Sequence, residues 1–445
     1  MKILFISLGC DKNLVDSEMM LGLLTKNGYT LTDDETQADI IVINTCCFIH
    51  DAKEESINTI LEMAQYKDQN LKALVVAGCL AERYKDEILE EIPEIDAVLG
   101  TTSYDAIVDA VNEALKGQSY EHYESIDYLP DNSKVDRVVT TGSHMAYLKI
   151  AEGCDKRCSY CIIPKIRGHF RSVPMEELLR EAESLAQQGV RELVLVAQET
   201  TLYGKDLTGK KELPTLIHNL CRIDGIEWIR LLYCYPEEIN DELIEVIKTE
   251  EKVCHYIDMP IQHSENRILQ RMGRRTSRED LVAVIQKLRK EIPDIAIRTT
   301  LITGFPGETQ KDHEGLLEFV KECRFERLGV FTYSPEEGTL AAEFEDQIPE
   351  EVKEERRDEI MTLQQEISFE HTQEMVGKVV KVMVEGYLYE DDIYIGRSYM
   401  DAPKVDGCVF INSQEELMTG DFVYVKITQG REYDMIGEVD YEFTK

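Results

Sequence analysis

The sequence has few positively charged residues relative to its negatively charged ones, with 49 Lys and Arg against 86 Asp and Glu and a formal net charge of −37. Proteins bind DNA and RNA largely by releasing counterions as Lys and Arg neutralise phosphates. A chain this acidic is therefore not expected to bind nucleic acids generally. The charge is typical of a very soluble protein or of one whose partner is basic, and composition alone does not separate these two interpretations.

The sequence also lacks long hydrophobic runs. Its longest apolar stretches, IIVINTCCFI and LVLVA, have the length of β-strands, whereas a membrane-spanning helix needs about 20 apolar residues. The opening MKILFISLGC is shorter than a signal peptide and has no cleavage site. We therefore expect a cytoplasmic protein without membrane association. In a reducing compartment, its twelve cysteines more often serve metal binding or catalysis than disulfides.

The hydrophobic pattern divides the 445 residues, which are too many for one core. Alternating strands and helices over 1–118 predict a doubly wound α/β domain with a parallel sheet. A stretch without periodicity over 119–143 predicts a linker. Six further strands alternate with helices over 144–370 and predict a partial TIM-type barrel, because a full barrel has eight strands. Short strands with glycine turns over 371–445 predict a small all-β barrel.

Three cysteines with the spacing C-x3-C-x2-C directly follow the first strand of the predicted central barrel: Cys154, Cys158 and Cys161. Such close spacing lets one loop surround an iron–sulfur cluster. A structural zinc site has four protein ligands, so zinc would need a further ligand such as His169. We favour a cluster whose fourth iron has no protein ligand and is open to an external one.

Three more cysteines, Cys10, Cys46 and Cys79, each close a predicted strand of the N-terminal domain. The carboxyl ends of parallel strands meet at one crevice of a doubly wound sheet, where ligands bind. These thiols are therefore expected to lie together and to hold a second metal cluster. Cys47 adjoins Cys46 and would point away from it, so Cys47 is the alternative ligand. The other cysteines are expected to be buried and inert: Cys221, Cys234, Cys254, Cys323 and Cys408.

The segment AEGCDKRCSYCIIPKIRG, with Tyr160 before its last cysteine, resembles the signature of the radical S-adenosylmethionine (SAM) enzymes. Together with SLGCDKNLVDSE, INTCCFI, AGC and the terminal β-domain, it makes essentially the whole chain resemble the methylthiotransferase family. The resemblance implies two 4Fe–4S clusters, of which the first binds SAM and generates a deoxyadenosyl radical. The second carries sulfur, which a substrate carbon radical attacks. It also implies that 371–445 is a TRAM domain.

The resemblance further implies an electron donor such as flavodoxin or ferredoxin, a monomeric enzyme and a set of SAM-binding residues. The candidates for that set are Tyr160, Gln198, Glu199, Arg298 and Gly304. Gln198 and Glu199 follow a strand, and the glycines of TGFPGET (303–309) would let the backbone approach a ligand closely. Each segment is equally consistent with a helix cap or a turn.

Some charged residues near these motifs have more open roles. Arg167 and Arg298 could bind a carboxylate of the substrate or of SAM, since the guanidinium fork suits that group. His255 and His263 flank the sequence MPIQ and are as consistent with structural roles as with functional ones.

Two branches of the family differ in substrate. The segment GCDKNLVDSE resembles the branch that adds a methylthio group to the β-carbon of an aspartate in small-subunit ribosomal protein S-twelve, whereas the other branch modifies isopentenyl-adenosine in tRNA. Residues 371–445 carry 15 Asp and Glu against 7 Lys and Arg, a net charge of −8. A tRNA-binding domain is expected to be basic, so this charge favours the basic protein substrate. tRNA modification and a non-catalytic iron–sulfur role are the alternatives.

Overall fold

The computed structural model describes residues 1–85, 87–132 and 135–443. Residues 133 and 134 of the predicted linker, and 444 and 445 at the end of the predicted C-terminal domain, lie outside the described residues. None of the described helices is long and apolar enough to span a membrane.

The N-terminal domain is a parallel six-stranded sheet with the order β2-β1-β3-β4-β5-β6. Its strands are β1 (Lys2–Ser7), β2 (Thr30–Leu31), β3 (Ile40–Thr45), β4 (Ala73–Gly78), β5 (Ala97–Leu99) and β6 (Tyr120–His122). Its helices are α1 (Asp11–Lys26), α2 (His50–Ala64), α3 (Cys79–Arg83), α4 (Ile88–Glu91) and α5 (Ile107–Ala114). Every residue of β3 and β4 is buried, because helices cover both faces of the sheet.

The doubly wound parallel sheet predicted from the sequence is confirmed. One strand was not predicted: β6 lies within the segment interpreted as a linker and pairs in parallel with β5. Its three residues carry no apolar alternation, so its position depends on the preceding sheet edge rather than on its own sequence.

The central domain is a second parallel six-stranded sheet with the order β7-β10-β11-β12-β13-β14. These strands are β7 (Met145–Lys149), β10 (Glu192–Val196), β11 (Trp228–Leu231), β12 (Val253–Asp258), β13 (Ala296–Thr303) and β14 (Arg327–Thr332); a small antiparallel pair comprises β8 (Ala151–Glu152) and β9 (Arg171–Ser172). The helices are α6 (Ile163–Ile166), α7 (Met175–Gln187), α8 (Lys205–Thr208), α9 (Leu213–Leu220), α10 (Asp241–Thr249), α11 (Asn266–Arg271), α12 (Arg278–Glu291), α13 (Gln310–Cys323) and α14 (Glu350–Glu374). The six predicted strands and their parallel arrangement are confirmed.

The C-terminal domain is a closed five-stranded barrel with the order β15-β16-β17-β19-β18. Its strands are β15 (Val379–Leu388), β16 (Ile393–Ser398), β17 (Val409–Asn412), β18 (Phe422–Gly430) and β19 (Met435–Val439). The predicted all-β barrel is confirmed. Its apolar residues share one core with the first residues of the central strands, such as Met145, Trp228 and Ala296.

This packing decides where a site can form in the central domain. The C-terminal barrel covers the amino-terminal end of the central sheet, so the carboxyl-terminal end of that sheet is left for ligands. Buried ion pairs hold the two domains together, including Arg327 with Asp401 and Arg397 with Glu192.

Candidate functional site

The first group of thiols, which we call the N-terminal triad, comprises Cys10, Cys46 and Cys79. They follow β1, β3 and β4, whose carboxyl ends lie side by side in the sheet. Gly9, just before Cys10, has a φ of +86°, and a Cβ atom added to it would lie 2.9 Å from the Cys46 sulfur. A side chain at position 9 would thus both strain the backbone and displace Cys46.

Asn13 ties the three strand ends together. Its amide nitrogen donates to the carbonyl oxygens of Leu8 (3.1 Å) and Thr45 (2.9 Å), and its Oδ1 lies 3.7 Å from the Cys79 sulfur. One polar side chain of α1 therefore fixes the loops that carry the N-terminal triad.

Cys46 and Cys47 have different surroundings. The Cys47 thiol donates to the carbonyl of Cys79 (3.1 Å) and packs in an apolar core, where burial raises its pKa to about 12. Cys46 is buried beside Cys10 and Arg167; its pKa is also raised by burial, which the positive charge of Arg167 opposes. The geometry thus favours Cys46 as the member that faces the other thiols.

The second group, the central triad, comprises Cys154, Cys158 and Cys161 in the loop between β8 and α6. The Cys154 amide donates to the carbonyl of Gly168 (3.1 Å), and the Cys161 amide donates to the carbonyl of Cys158 (3.1 Å). Burial raises the pKa of Cys154 to about 12, while the amide of Lys156, which donates to this sulfur (3.4 Å), lowers it. The loop is therefore held by backbone hydrogen bonds around buried sulfur atoms.

The spacing of the donors does not suit a single metal ion. Within residues 1–85, 87–132 and 135–443, no group of three or more His, Cys, Asp or Glu is arranged to hold one ion. His169, the ligand that a zinc site would need, is three-quarters exposed and contacts Asp155 (2.9 Å). In a four-iron cluster each thiolate binds a different iron, so wider sulfur spacing is expected there.

Buried acceptors without partners lie beside the central triad. Lys156 contacts Glu237 (2.9 Å), Glu238 (2.8 Å) and, at 3.8 Å, Glu199. Burial raises the pKa of Glu199 to about 7, which the hydrogen bond from Thr201 partly opposes. Oxygen atoms of three residues in this region have no hydrogen-bond partner in the described part of the chain: Gln198, Glu199 and Glu237. Since buried polar atoms are normally paired, these oxygens fit a ligand that carries an ammonium group.

Aromatic residues and one arginine enclose the same thiols. The guanidinium of Arg274 lies 4.4 Å from the ring centre of Tyr235, and its Nη1 is 4.0 Å from the Cys158 sulfur. Tyr160, between the last two cysteines, packs edge-to-face on Phe305. Burial and the nearby Cys158 raise the pKa of Tyr160 well above its ordinary value, so its hydroxyl stays neutral.

Two residues predicted to bind SAM contact other parts of the protein. Arg298 contacts Asp258 (2.8 Å) and Asp406 of the C-terminal barrel (3.3 Å). Gly304 has a φ of +68°, and an added Cβ would overlap the Lys353 side chain, so protein packing accounts for the glycine. The rest of TGFPGET contains a capping box, in which Thr309 caps α13. The end of this segment therefore acts as a helix cap, as one of the two interpretations of its sequence predicted.

The two histidines have structural surroundings. His255 contacts Asp294 (2.7 Å) on the surface of the central domain. His263 is fully buried, and its Nδ1 accepts the backbone N–H of Glu265 (3.0 Å). Neither contacts a cysteine of the triads through a hydrogen bond in the described residues.

A buried charge network joins the N-terminal triad to the central domain, and sequence reasoning missed it. Arg167 is fully buried and donates to Asp16 (2.8 Å), Glu152 (3.1 Å) and the Cys79 sulfur (3.5 Å). Lys149 also donates to Glu152 (2.8 Å). Polar residues along the buried side of α1, in GCDKNLVDSE, were the available signal.

The segment after β11 contacts the surroundings of both triads. The Tyr233 hydroxyl donates to Asp11 (3.2 Å), and its ring centre lies 3.4 Å from the ammonium of Lys12, so this residue faces α1 just after Cys10. Tyr235, two residues later, stacks on Arg274 beside Cys158. The two triads therefore lie on either side of one short loop.

Three family models match the chain. The uncharacterized protein family UPF0004 matches residues 2–100, the radical SAM superfamily matches 148–320 and the TRAM domain matches 376–439. The order of these matches follows the three domains of the structure. The radical SAM match implies a 4Fe–4S cluster and SAM.

Solved structures share this fold at low sequence identity. The radical SAM methyltransferase TsrM from Kitasatospora setae, with cobalamin and a 4Fe–4S cluster bound, matches with a TM-score of 0.58 and 13% identity over 76% of this chain and 73% of that chain. The same enzyme with tryptophan and a SAM analogue bound matches with a TM-score of 0.55 and 14% identity over 74% of this chain and 72% of that chain. These likenesses show the fold alone.

Curated relatives match along the full length. A protein of Lachnoclostridium phytofermentans named ribosomal protein uS12 methylthiotransferase RimO is 64% identical over 441 residues, which cover 99% of this chain and all of the relative. A protein of the same name from Acetivibrio thermocellus is 51% identical over 454 aligned positions, which cover 100% of this chain and 99% of the relative. The chain therefore belongs to the RimO family of radical SAM methylthiotransferases.

Proposed function

We propose that this enzyme adds a methylthio group to the β-carbon of an aspartate in ribosomal protein uS12. The observation that carries the proposal is the placement of two cysteine triads, from two different sheets, on either side of the loop 233–235. The names of the full-length relatives favour uS12 over the tRNA alternative.

The residues present fit two clusters and one SAM molecule. Cys154, Cys158 and Cys161 would hold the 4Fe–4S cluster that binds SAM, and the N-terminal triad would hold a second cluster. When bound, these groups supply a deoxyadenosyl radical for hydrogen abstraction and sulfur for transfer. The partnerless oxygens of Gln198 and Glu199 support contacts to the SAM ammonium group, and Tyr160 closes the apolar side of the site.

The protein itself contributes orientation and exclusion of water. Arg167 holds Cys79 and Glu152 in one buried network, so the N-terminal triad and the central domain keep a fixed relation. The half-buried aromatic residues Tyr233 and Tyr235 lie between the surroundings of the two triads and would help to exclude water there.

The C-terminal barrel supplies an acidic surface that suits a basic ribosomal protein. Asp401 and Asp406 are occupied by arginines of the central domain, so they do not contribute to this surface. Other acids of the barrel remain exposed: Glu390, Asp391, Asp392, Glu415 and Glu416. These side chains would attract a basic partner and speed its encounter.

Further parts of the proposal follow from the chemistry rather than from the fold. Reductive cleavage of SAM needs a one-electron donor, for which flavodoxin or ferredoxin is suited. A ribosomal protein substrate places the reaction in the cytoplasm. We propose that the enzyme acts as a monomer, since one chain supplies both triads.

Iron and acid-labile sulfide per chain, measured after anaerobic reconstitution, test the two clusters. About eight irons are expected for two four-iron clusters, and about four would contradict the second one. Cys323, buried away from both triads, provides the control: Cys323→Ala should keep the full iron content.

Mass spectrometry of purified uS12 after incubation with the reduced enzyme and SAM tests the reaction. Cys154→Ala should abolish both deoxyadenosine formation and methylthiolation. Cys10→Ala should abolish methylthiolation and leave deoxyadenosine formation intact. Equal loss of both products in Cys10→Ala would contradict the division of roles, and modification of tRNA in place of uS12 would contradict the substrate.

A further inference from the structure

Lys12 brings a buried positive charge into the space between the two triads. It lies two residues after Cys10 in the first turn of α1, and its side chain is only 8% exposed. Its ammonium contacts the Asp11 carboxylate (2.9 Å) and lies over the face of the Tyr233 ring, near the hydroxyl of that residue and the Cys10 thiol. An ammonium has three N–H donors, so part of its hydrogen-bonding capacity is unused.

Asp11 has an unused hydrogen-bond acceptor beside these unused donors. Its Oδ1 accepts the ammonium, the backbone N–H of Lys12 (3.1 Å) and the Tyr233 hydroxyl (3.2 Å). Its Oδ2 is buried and has no hydrogen-bond partner in the described part of the chain, although the side chain is 92% buried. Within the described residues, all the hydrogen bonds of this carboxylate are thus made by one oxygen.

A purely structural ion pair does not account for this arrangement. Burying two charges is costly unless further hydrogen bonds satisfy their remaining donors and acceptors. A buried acceptor without a partner loses its hydrogen bonds to water without replacement, so each such atom calls for an explanation such as a ligand. The unused donors of Lys12 fit an anion, and the unused oxygen of Asp11 fits an N–H group. A peptide segment with a carboxylate side chain offers both.

The position of Tyr233 supports a ligand site at this point. It has a φ of +60°, which is rare for a residue with a side chain. Its backbone N–H donates to Asp258 (3.0 Å), whose other oxygen accepts from Arg298 (2.8 Å). Strained backbone that is held by surrounding contacts clusters at ligand sites. Arg298 therefore helps to hold Tyr233 in place indirectly, because it orients Asp258.

We propose that Lys12 binds the side-chain carboxylate of the substrate aspartate, while the free oxygen of Asp11 accepts a backbone N–H of the same segment. Lys12 is then a specificity-determining residue that selects aspartate over its neutral isostere asparagine. This inference rests on the proposed function, because it assigns the recognition of the uS12 side chain within that site.

The first test changes only the substrate. Labelled uS12 and uS12 with its target aspartate replaced by asparagine are titrated with the reconstituted enzyme, without reductant, and binding is followed by fluorescence anisotropy. The aspartate form should bind about tenfold to a hundredfold more tightly, as expected for a charge-assisted hydrogen bond. Equal affinities would overturn the inference, and this result does not depend on how any enzyme variant folds.

The second test changes the enzyme. Lys12→Met should weaken binding of the aspartate form and leave binding of the asparagine form unchanged, so that discrimination is lost. Lys12→Arg should retain part of the discrimination between the aspartate and asparagine forms. Lys205→Met, which removes an exposed lysine of α8, is the charge control and should discriminate like the parent. Full discrimination by Lys12→Met, at parental iron content, would overturn the inference.

The outcomes separate this inference from the proposed function. If the parent enzyme methylthiolates uS12 but neither test shows discrimination, only the role of Lys12 fails. If the parent enzyme neither binds nor modifies uS12, the proposed function itself fails.

Discussion

One of the buried carboxylates that attach the C-terminal barrel is Glu192 of β10. It is fully buried and accepts hydrogen bonds from Arg230 (2.8 Å) and from Arg397 of the barrel (2.5 Å). The substitution Glu192→Gln preserves the shape of the side chain but removes its charge. Two buried guanidinium groups would then lose a shared counter-charge.

The size of the effect follows from the pKa of Glu192. Burial alone would raise this pKa, but Arg397 and Arg230 lower it from 4.5 to about 2. That difference corresponds to about 3 kcal/mol of stability from the charged form. Because the folded pKa lies below the unfolded one, the contribution is complete above about pH 4.5 and is lost as the pH falls towards 2.

The only tryptophan of the chain provides the assay. Trp228 packs edge-to-face on Phe422 of the barrel, with ring centres 4.8 Å apart, so its fluorescence reports separation of the two domains. Urea titrations of the metal-free chain at pH 7.5 should show that Glu192→Gln lowers the free energy of this transition by about 3 kcal/mol. Near pH 3 the variant and the parent should differ much less.

A second ion pair across the same interface is the matched control. Glu227 contacts Lys381 (3.1 Å), and the two side chains are 40% and 33% exposed. Solvent screens such a pair, so Glu227→Gln should cost at most about 1 kcal/mol. The reasoning is refuted if both variants cost the same, or if the effect of Glu192→Gln is as large at pH 3 as at pH 7.5.

Three further predictions concern the N-terminal triad and the residues around it. Cys46→Ala should lower the iron content by about four per chain, whereas Cys47→Ala should keep it; the opposite result would make Cys47 the ligand. Gly9→Ala should add about 1–2 kcal/mol of backbone strain and should displace the Cys46 side chain. Iron analysis after reconstitution should then show only the central cluster. Arg167→Met removes a positive charge that Asp16 and Glu152 share, so it should destabilise the chain by about 3–5 kcal/mol in calorimetry. Arg167→Lys should restore part of this stability. An unchanged melting temperature of Arg167→Met would contradict the buried network.

The net charge of the C-terminal domain shows how far composition can mislead. Its sequence carries a net charge of −8, but Asp401 and Asp406 pair with Arg327 and Arg298 of the central domain. These acids attach the barrel to the central sheet. Fewer acidic side chains are therefore available to a partner than the sequence suggests. Those that remain exposed include the acids of the loops 389–392 and 414–416.

The sequence by itself determined the three domains and the position of the triads. Continuous apolar runs such as those of β3 and β4 predict buried parallel strands, because helices must cover both faces. Once these strands are recognised, the residues that follow them must share one edge, which brings Cys10, Cys46 and Cys79 together. The central triad is easier to predict than the N-terminal one, because the spacing of Cys154, Cys158 and Cys161 within one loop is a local property of the sequence.

Only the tertiary structure decided which charged and aromatic residues meet between the triads. Arg167 lies 88 positions from Cys79, and Tyr233 lies 222 positions from Asp11, yet each pair is in contact. Such contacts depend on how the N-terminal domain packs against the central sheet, and no periodicity of the chain encodes that packing. For the same reason the sequence does not reveal that Arg298 contacts Asp258 and Asp406, because domain packing brings these opposite charges beside it.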